Sequence, residues 1–199
     1  MLLKEDLSQA REQPRLRADA QRNRAKLVEV ASQAFAEHGA DASLEEIARR
    51  AGVGIGTLYR HFPSREHLVE VVYRRELERL TCAAVKLQAE NSPEVALDEW
   101  MHRFVSYMAA KRGMSSSLKL LFTSNSALFS EGTTQMTAAF DKLLRAAIDA
   151  GSVKDDLETG DVLYTLYAIY SIPDAPDWRE RAHRIVRLIM DGLLTHPKT

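Results

Sequence analysis

Apolar residues recur at helical spacing along almost the whole chain, and no segment alternates apolar with polar residues between hairpin signals. Leu27, Val30, Ala31, Ala34 and Phe35 set the pattern, falling on one face of a 3.6-residue repeat. A strand would need a two-residue repeat, so the chain is committed to an all-α fold of about nine helices. Their ends are punctuated. Gly39 closes the first helix. Ser43-Leu44-Glu45-Glu46 reads as a capping box opening the second, which Gly52 closes. A third helix spans about Gly54 to His61, Pro63 stops it, and Ser64 caps a fourth that runs to about Leu80, roughly 25 Å. Ser92-Pro93 starts the fifth, which ends at Gly113. A short helix follows near Leu118 to Phe122, then a polar loop through Asn125 and Ser130 and a helix ending at Gly151. One more spans about Gly160 to Ser171, and the last opens at Asp177, where Glu180 completes a second capping-box pattern.

Composition excludes several classes of function. A chain of 199 residues, 45% hydrophobic and 28% charged, buries an ordinary core and is not a disordered protein. Cys82 is the only cysteine, so there is no disulfide framework and no multi-cysteine metal centre. The six histidines do not pair with carboxylates at the spacing of a zinc hydrolase, and neither metal nor cofactor is expected. Gly52-Val53-Gly54-Ile55-Gly56 has Thr57 where a dinucleotide fingerprint needs its next glycine, and no Gly-x-Ser-x-Gly elbow exists. The chain reads as no enzyme. No apolar run approaches membrane-spanning length, and Met1-Leu2-Leu3-Lys4-Glu5-Asp6 turns charged at once, so a cytoplasmic protein without a membrane partner is expected. The net charge of -1 conceals a basic block, with six basic against two acidic residues between positions 11 and 26.

Two short helices joined by Gly52-Val53 form the signature of a helix-turn-helix. Ile47, Val53 and Leu58 are spaced to lock the pair, and Ala48 is small where the helices approach. The outward face of the second helix, from Ile55 to His61, is then free to enter a major groove. The same spacing also suits a plain helical hairpin.

The stretch from Arg24 to Leu68 closely resembles the DNA-binding domain of the TetR family of transcriptional regulators. The matching pieces are Ala31, Phe35 and Gly39, then Ser43-Leu44-Glu45-Glu46-Ile47-Ala48, Ala51-Gly52-Val53, and the run Gly56-Thr57-Leu58-Tyr59-Arg60-His61-Phe62-Pro63-Ser64-Arg65-Glu66-His67-Leu68. The resemblance implies that Ser43, Tyr59 and His61 contact phosphates, that Arg65 anchors the DNA backbone, and that Ile55, Thr57 and Arg60 face the bases, with Gly56 among them on the DNA-binding face. Arginine can pair bidentately with guanine, and the methyls of Ile55 and Thr57 suit that of thymine. Two departures stand out: Gly54 replaces a capping Ser or Thr, and Arg65 replaces the more usual Lys. The expected division is a flexible basic arm over 1–16, a DNA-binding domain over 17–66 with its helix-turn-helix at about 44–63, and a ligand-binding and dimerisation domain over 67–199.

The last two helices carry wide apolar arcs. In the final one, Ala182, Ile185, Val186, Leu188, Ile189, Met190, Leu193 and Leu194 span about 240°, whereas a one-sided surface helix needs about 100°. Burial on two sides follows, and the resemblance implies that the second side meets another subunit, giving a homodimer through these helices. Trp100, Phe104, Tyr107, Met108, Phe122, Phe140, Tyr164 and Tyr167 are candidates to line an effector cavity, although such residues also make ordinary core. The expected function is a repressor that holds a double-stranded palindromic operator and is released by a small apolar or aromatic effector. The alternative is a helical protein-protein adaptor, or a regulator without a small-molecule ligand.

Overall fold

The computed structural model describes residues 2–195, with the side chains of 2–17, 40 and 124 outside the described set. Among the described residues there are nine α-helices: α1 (Leu2–His38), α2 (Leu44–Ala51), α3 (Ile55–His61), α4 (Arg65–Glu90), α5 (Pro93–Gly113), α6 (Ser115–Ser124), α7 (Ser126–Asp149), α8 (Thr159–Tyr167) and α9 (Trp178–Leu193). Short 3₁₀ turns follow α1 at Gly39–Asp41 and α8 at Ala168–Ser171. Among the described residues no helix is long and apolar enough to cross a membrane.

The local stop signals act as their chemistry dictates. Gly39 and Gly52 adopt positive φ, +60° and +74°, which relieves the chain of a Cβ clash at the ends of α1 and α2. Ser43 accepts the Glu46 amide at 3.0 Å, but the box is only half made. The Glu46 carboxylate turns outward to Arg49 and Arg50, both at 2.7 Å, and their hydrogen bonds hold it down at about 2. Two guanidiniums outcompete one backbone amide for the same oxygens. Ser43→Ala is expected to lower stability by about 1 kcal/mol, some 2–4 °C in the melting midpoint of a chain this size.

Several boundaries differ from the sequence reading. The segment read as a flexible arm is continuous in backbone with α1, across Pro14. Helix α4 does not end near Leu80 but continues to Glu90, because nothing between Thr81 and Glu90 breaks a helix; its 26 residues span about 39 Å. The loop expected through Asn125 and Ser130 shrinks to Asn125, whose side chain accepts the Leu128 amide at 3.3 Å. Ser130 lies inside α7 and returns its hydroxyl to the Ala127 carbonyl at 3.0 Å. Asp177 does not cap α9 through its side chain, since its carboxylate pairs with Arg181 and Arg184.

Helix α5 is the hub, packing against α1, α4, α7 and α9. Its buried residues include Trp100, whose indole N–H donates to the Leu80 carbonyl at 2.9 Å and against which Phe104 and Phe140 pack, and Met108 is likewise fully buried. Helix α4 bridges the two halves of the molecule. Arg75 on α4 donates to the Ala25 carbonyl at 3.1 Å and pairs with Glu29, while Ser32 donates to Glu76 at 2.8 Å.

Candidate nucleic-acid interface and cavity

The second helix of the helix-turn-helix is held by one side chain and displayed by its neighbours. Leu58 is fully buried against Ile47 and Ala48, with Val53 partly buried beside them. Because α3 turns about 100° per residue, Gly56 and Arg60 lie opposite Leu58, with Tyr59 next to them and Ile55 at the helix start, and all four are exposed, Tyr59 by 46%. Thr57 and His61 flank that face and are partly buried, the His61 ring tilted against Phe62 at 6.2 Å. Among the described residues the Arg60 guanidinium makes only long contacts, with its own helix, 3.3 Å to the Gly56 carbonyl and 3.4 Å to the Thr57 hydroxyl. Such contacts are readily exchanged for a better partner. Ser43 is exposed, and its hydroxyl hydrogen remains free for donation while the oxygen caps α2.

Arg65 has an engagement that the sequence did not announce. It donates to the Ala42 carbonyl at 2.6 Å and lies over the Phe35 ring at 5.2 Å, partly buried, and so pins the start of α4 to the linker between α1 and α2. Lys26 was counted in the basic block but not singled out. Its ammonium stands beside the turn, 3.6 Å from where a Cβ on Gly52 would lie. The available signal was its position one residue before the buried Leu27. Arg24 lies over the Phe62 ring at 5.2 Å, and the side chains of Arg11, Arg15 and Arg17 fall outside the described residues.

The aromatic candidates separate into three groups. Tyr107, Phe122 and Tyr167 line a cavity of about 280 Å³ between α4, α5, α6, α7 and α8. Trp100, Phe104, Met108 and Phe140 are core, because neighbouring helices close over them completely. Tyr164 points away from both, 77% exposed on the outer face of α8. Helical spacing could not separate these fates, which depend on what faces each ring from other helices. The cavity also takes Tyr73, Phe129, Met136 and Tyr170, and Lys111, none of which the sequence singled out. Burial raises the Tyr107 phenol well above its ordinary range and pushes Tyr167 up to about 12, so both stay protonated hydrogen-bond donors.

The apolar residues of α9 divide between two faces. Ala182, Val186, Met190 and Leu193 turn into the core, whereas Ile185, Leu188, Ile189 and Gly192 face outward. With Leu157, Val162 and Thr165 they outline an open groove of about 380 Å³.

Residues 27–72 match the family described as bacterial regulatory proteins, tetR family, and residues 92–195 match the transcriptional regulator SbtR-like C-terminal domain. The TetR transcriptional regulator SCO0520 from Streptomyces coelicolor superposes with a TM-score of 0.78 at 39% identity, covering 87% of this chain and 99% of that one. A TetR transcription regulatory protein from Mycobacterium vanbaalenii gives a TM-score of 0.71 at 35% identity, covering 90% and 99%. An HTH-type transcriptional regulator of Staphylococcus aureus (strain USA300) is 41% identical over 64 residues, 32% of this chain and 35% of the relative. The chain thus spans about a third of the length of the curated relatives it matches.

Proposed function

Because the chain belongs to the TetR family of bacterial regulatory proteins, we propose that it holds a palindromic operator as a homodimer, represses transcription there, and is released by a small effector. The observation that carries this reading is the free outer face of α3, where Ile55, Gly56, Tyr59 and Arg60 stand together on a helix locked from behind by Leu58. Ile55 and Thr57 offer methyl groups to thymine, and Arg60 offers a fork to guanine. Gly56 lets the backbone approach the bases closely. In this reading Tyr59, His61 and the Ser43 hydroxyl meet phosphates, and Arg65, bonded to the Ala42 carbonyl, fixes the start of α4 beside them. Two copies related by a two-fold axis read two half-sites, and the outward face of α8 and α9 is the surface for pairing. This is the work of a regulator in the cytoplasm, not of an enzyme.

Release needs a route from the cavity to α3, and three consecutive residues supply one. Lys111 lines the cavity; Arg112 donates to the carbonyls of Tyr170 at 3.0 Å and Ile172 at 2.7 Å; Gly113 rests on the end of α1. Tyr73 on α4 lines the same cavity, so both helices that connect the halves feel its contents. Coupling of this kind typically amounts to about 1–3 kcal/mol, or about 5- to 150-fold in operator affinity.

The test is retardation of duplexes carrying inverted repeats from DNA adjoining the gene, read as a function of salt. Affinity is expected to fall steeply as salt rises, because phosphate contacts release counterions. Arg60→Ala is expected to lose about 1–3 kcal/mol of discrimination between operator and scrambled DNA while keeping most of its scrambled-DNA affinity. Equal losses on both DNAs would remove Arg60 from base readout. Absence of any duplex binding at low salt would leave the outer face of α3 to a protein partner instead.

A further inference from the structure

We propose that the cavity beside Lys111 takes a small planar monocarboxylate, with the carboxylate at the ammonium and the apolar body between the aromatic walls. The effector reading above supplies the link to DNA; the anion site rests on its own observations.

The first observation is a cation without a counter-charge. The Lys111 ammonium is partly buried and lies over the Tyr167 ring at 5.9 Å, yet among the described residues it makes no ion pair and donates no hydrogen bond. An ammonium carries three donors and is strongly hydrated, so withdrawing it without a partner is unfavourable. Burial holds its pKa below the ordinary lysine value, the response of a cation that lacks a counter-charge. An ammonium that only served the last turn of α5 would donate to a carbonyl there. It does not.

The second is the charge of the lining. The cavity walls hold two lysines, Lys111 inside and the exposed Lys119, and no aspartate, glutamate or arginine. An amine ligand would meet repulsion with nothing to offset it. A phosphate would find neither the guanidinium fork that suits it nor a second buried cation. A carboxylate needs one cation and one or two neutral donors; the Ser115 hydroxyl lies on the same walls, and the protonated Tyr167 phenol can exchange its long 3.8 Å bond to the Met136 sulfur for a carboxylate oxygen.

The third is shape. Phe129 packs 5.2 Å from Tyr73 and 5.3 Å from Phe122, tilted by 40° and 56°, so aromatic rings bound the space on more than one side. Its volume of about 280 Å³ lies just below the range for drug-sized ligands, so one or two rings fill it.

The test uses the full-length protein with trans-cinnamate and indole-3-acetate, their neutral amides, and phenyl phosphate, followed by calorimetry and melting. The carboxylates are expected to bind about tenfold or more tightly than the amides. Lys111→Met is expected to erase that preference and Lys111→Arg to retain it, with operator affinity in the absence of compound close to wild type in both. Amides binding as well as carboxylates, phenyl phosphate binding more tightly than either, or no binding by any probe would overturn the proposal. Operator retardation is scored separately. Carboxylates that bind through Lys111 but leave operator affinity unchanged would uphold the anion site and remove effector release. Neutral compounds that release operator while carboxylates fail to bind would do the reverse.

Discussion

Replacing Gly113 by alanine is expected to destabilise the protein by about 3 kcal/mol or more, some 6–12 °C in melting midpoint, and to weaken operator binding beyond that loss. A Cβ at this position would fall 1.8 Å from the Phe35 carbonyl oxygen, 2.6 Å from its carbon and 3.2 Å from the Gly39 Cα. All three are backbone atoms, so no side-chain rotation relieves the overlap. Helix α5 and the end of α1 must therefore part. That end of α1 is where the DNA-binding unit is seated: Phe35 is fully buried beneath the Arg65 guanidinium, and Arg179 of α9 donates to the Ala36 carbonyl at 2.8 Å. Moving the seat re-aims α3 relative to the rest of the molecule, and a duplex of fixed pitch is sensitive to that. Gly160→Ala is the control, because a Cβ there meets only a Tyr164 ring atom at 4.0 Å and a helix gains from alanine. Melting of the Gly113→Ala protein within a degree or two of wild type would show that the joint is compliant and carries no coupling.

Gly113 also marks the limit of what the chain discloses before folding. As a sequence feature it was a helix stop; as a structural feature it is the contact point of two helices more than seventy residues apart. The same division runs through the molecule. Ser43, Ser64, Gly39 and Gly52 were legible because the groups they satisfy lie within a few residues of themselves. Leu58 and the exposed face of α3 were legible because helix geometry fixes which residues oppose each other. The resemblance assigns Arg65 to the DNA backbone, and its bond to the Ala42 carbonyl, 23 residues away, is not visible in local spacing. Among the aromatic candidates, Trp100 and Tyr107 lie two turns apart on one helix, yet one is core and the other cavity wall. The difference lies in α4 and α7, which cover the first and leave room beside the second. Lys111 escaped notice for a related reason. A basic residue in the last turn of a helix is ordinary, and only its enclosure by Tyr73, Tyr107 and Tyr167 makes it unusual.

Leu188→Asp is expected to yield a folded monomer that has lost operator binding. Leu188 is 70% exposed in the single chain, so an aspartate there disturbs no core packing, and its protomer should retain its helical signal. In the proposed two-fold pair through α8 and α9 the same position becomes buried, and each copy brings one carboxylate into a mostly apolar groove lined by Val162, Ile185, Ile189 and Leu193, where Asp161 offers it no counter-charge. Unpaired charges in such surroundings are strongly disfavoured; even about 3 kcal/mol across the pair raises the dimer dissociation constant about a hundredfold. Operator affinity falls further than dimer stability alone requires, because a lone protomer engages one half-site and forfeits the gain from holding two at once. This substitution is cleaner than Ile189→Asp, since Ile189 is already partly covered within the chain and its loss would mix unfolding with dissociation. Sedimentation and melting on one sample decide the matter. A dimer that survives Leu188→Asp would move the pairing surface off the outer face of α9. A monomer that still binds the full operator with wild-type affinity would separate DNA recognition from dimerisation altogether.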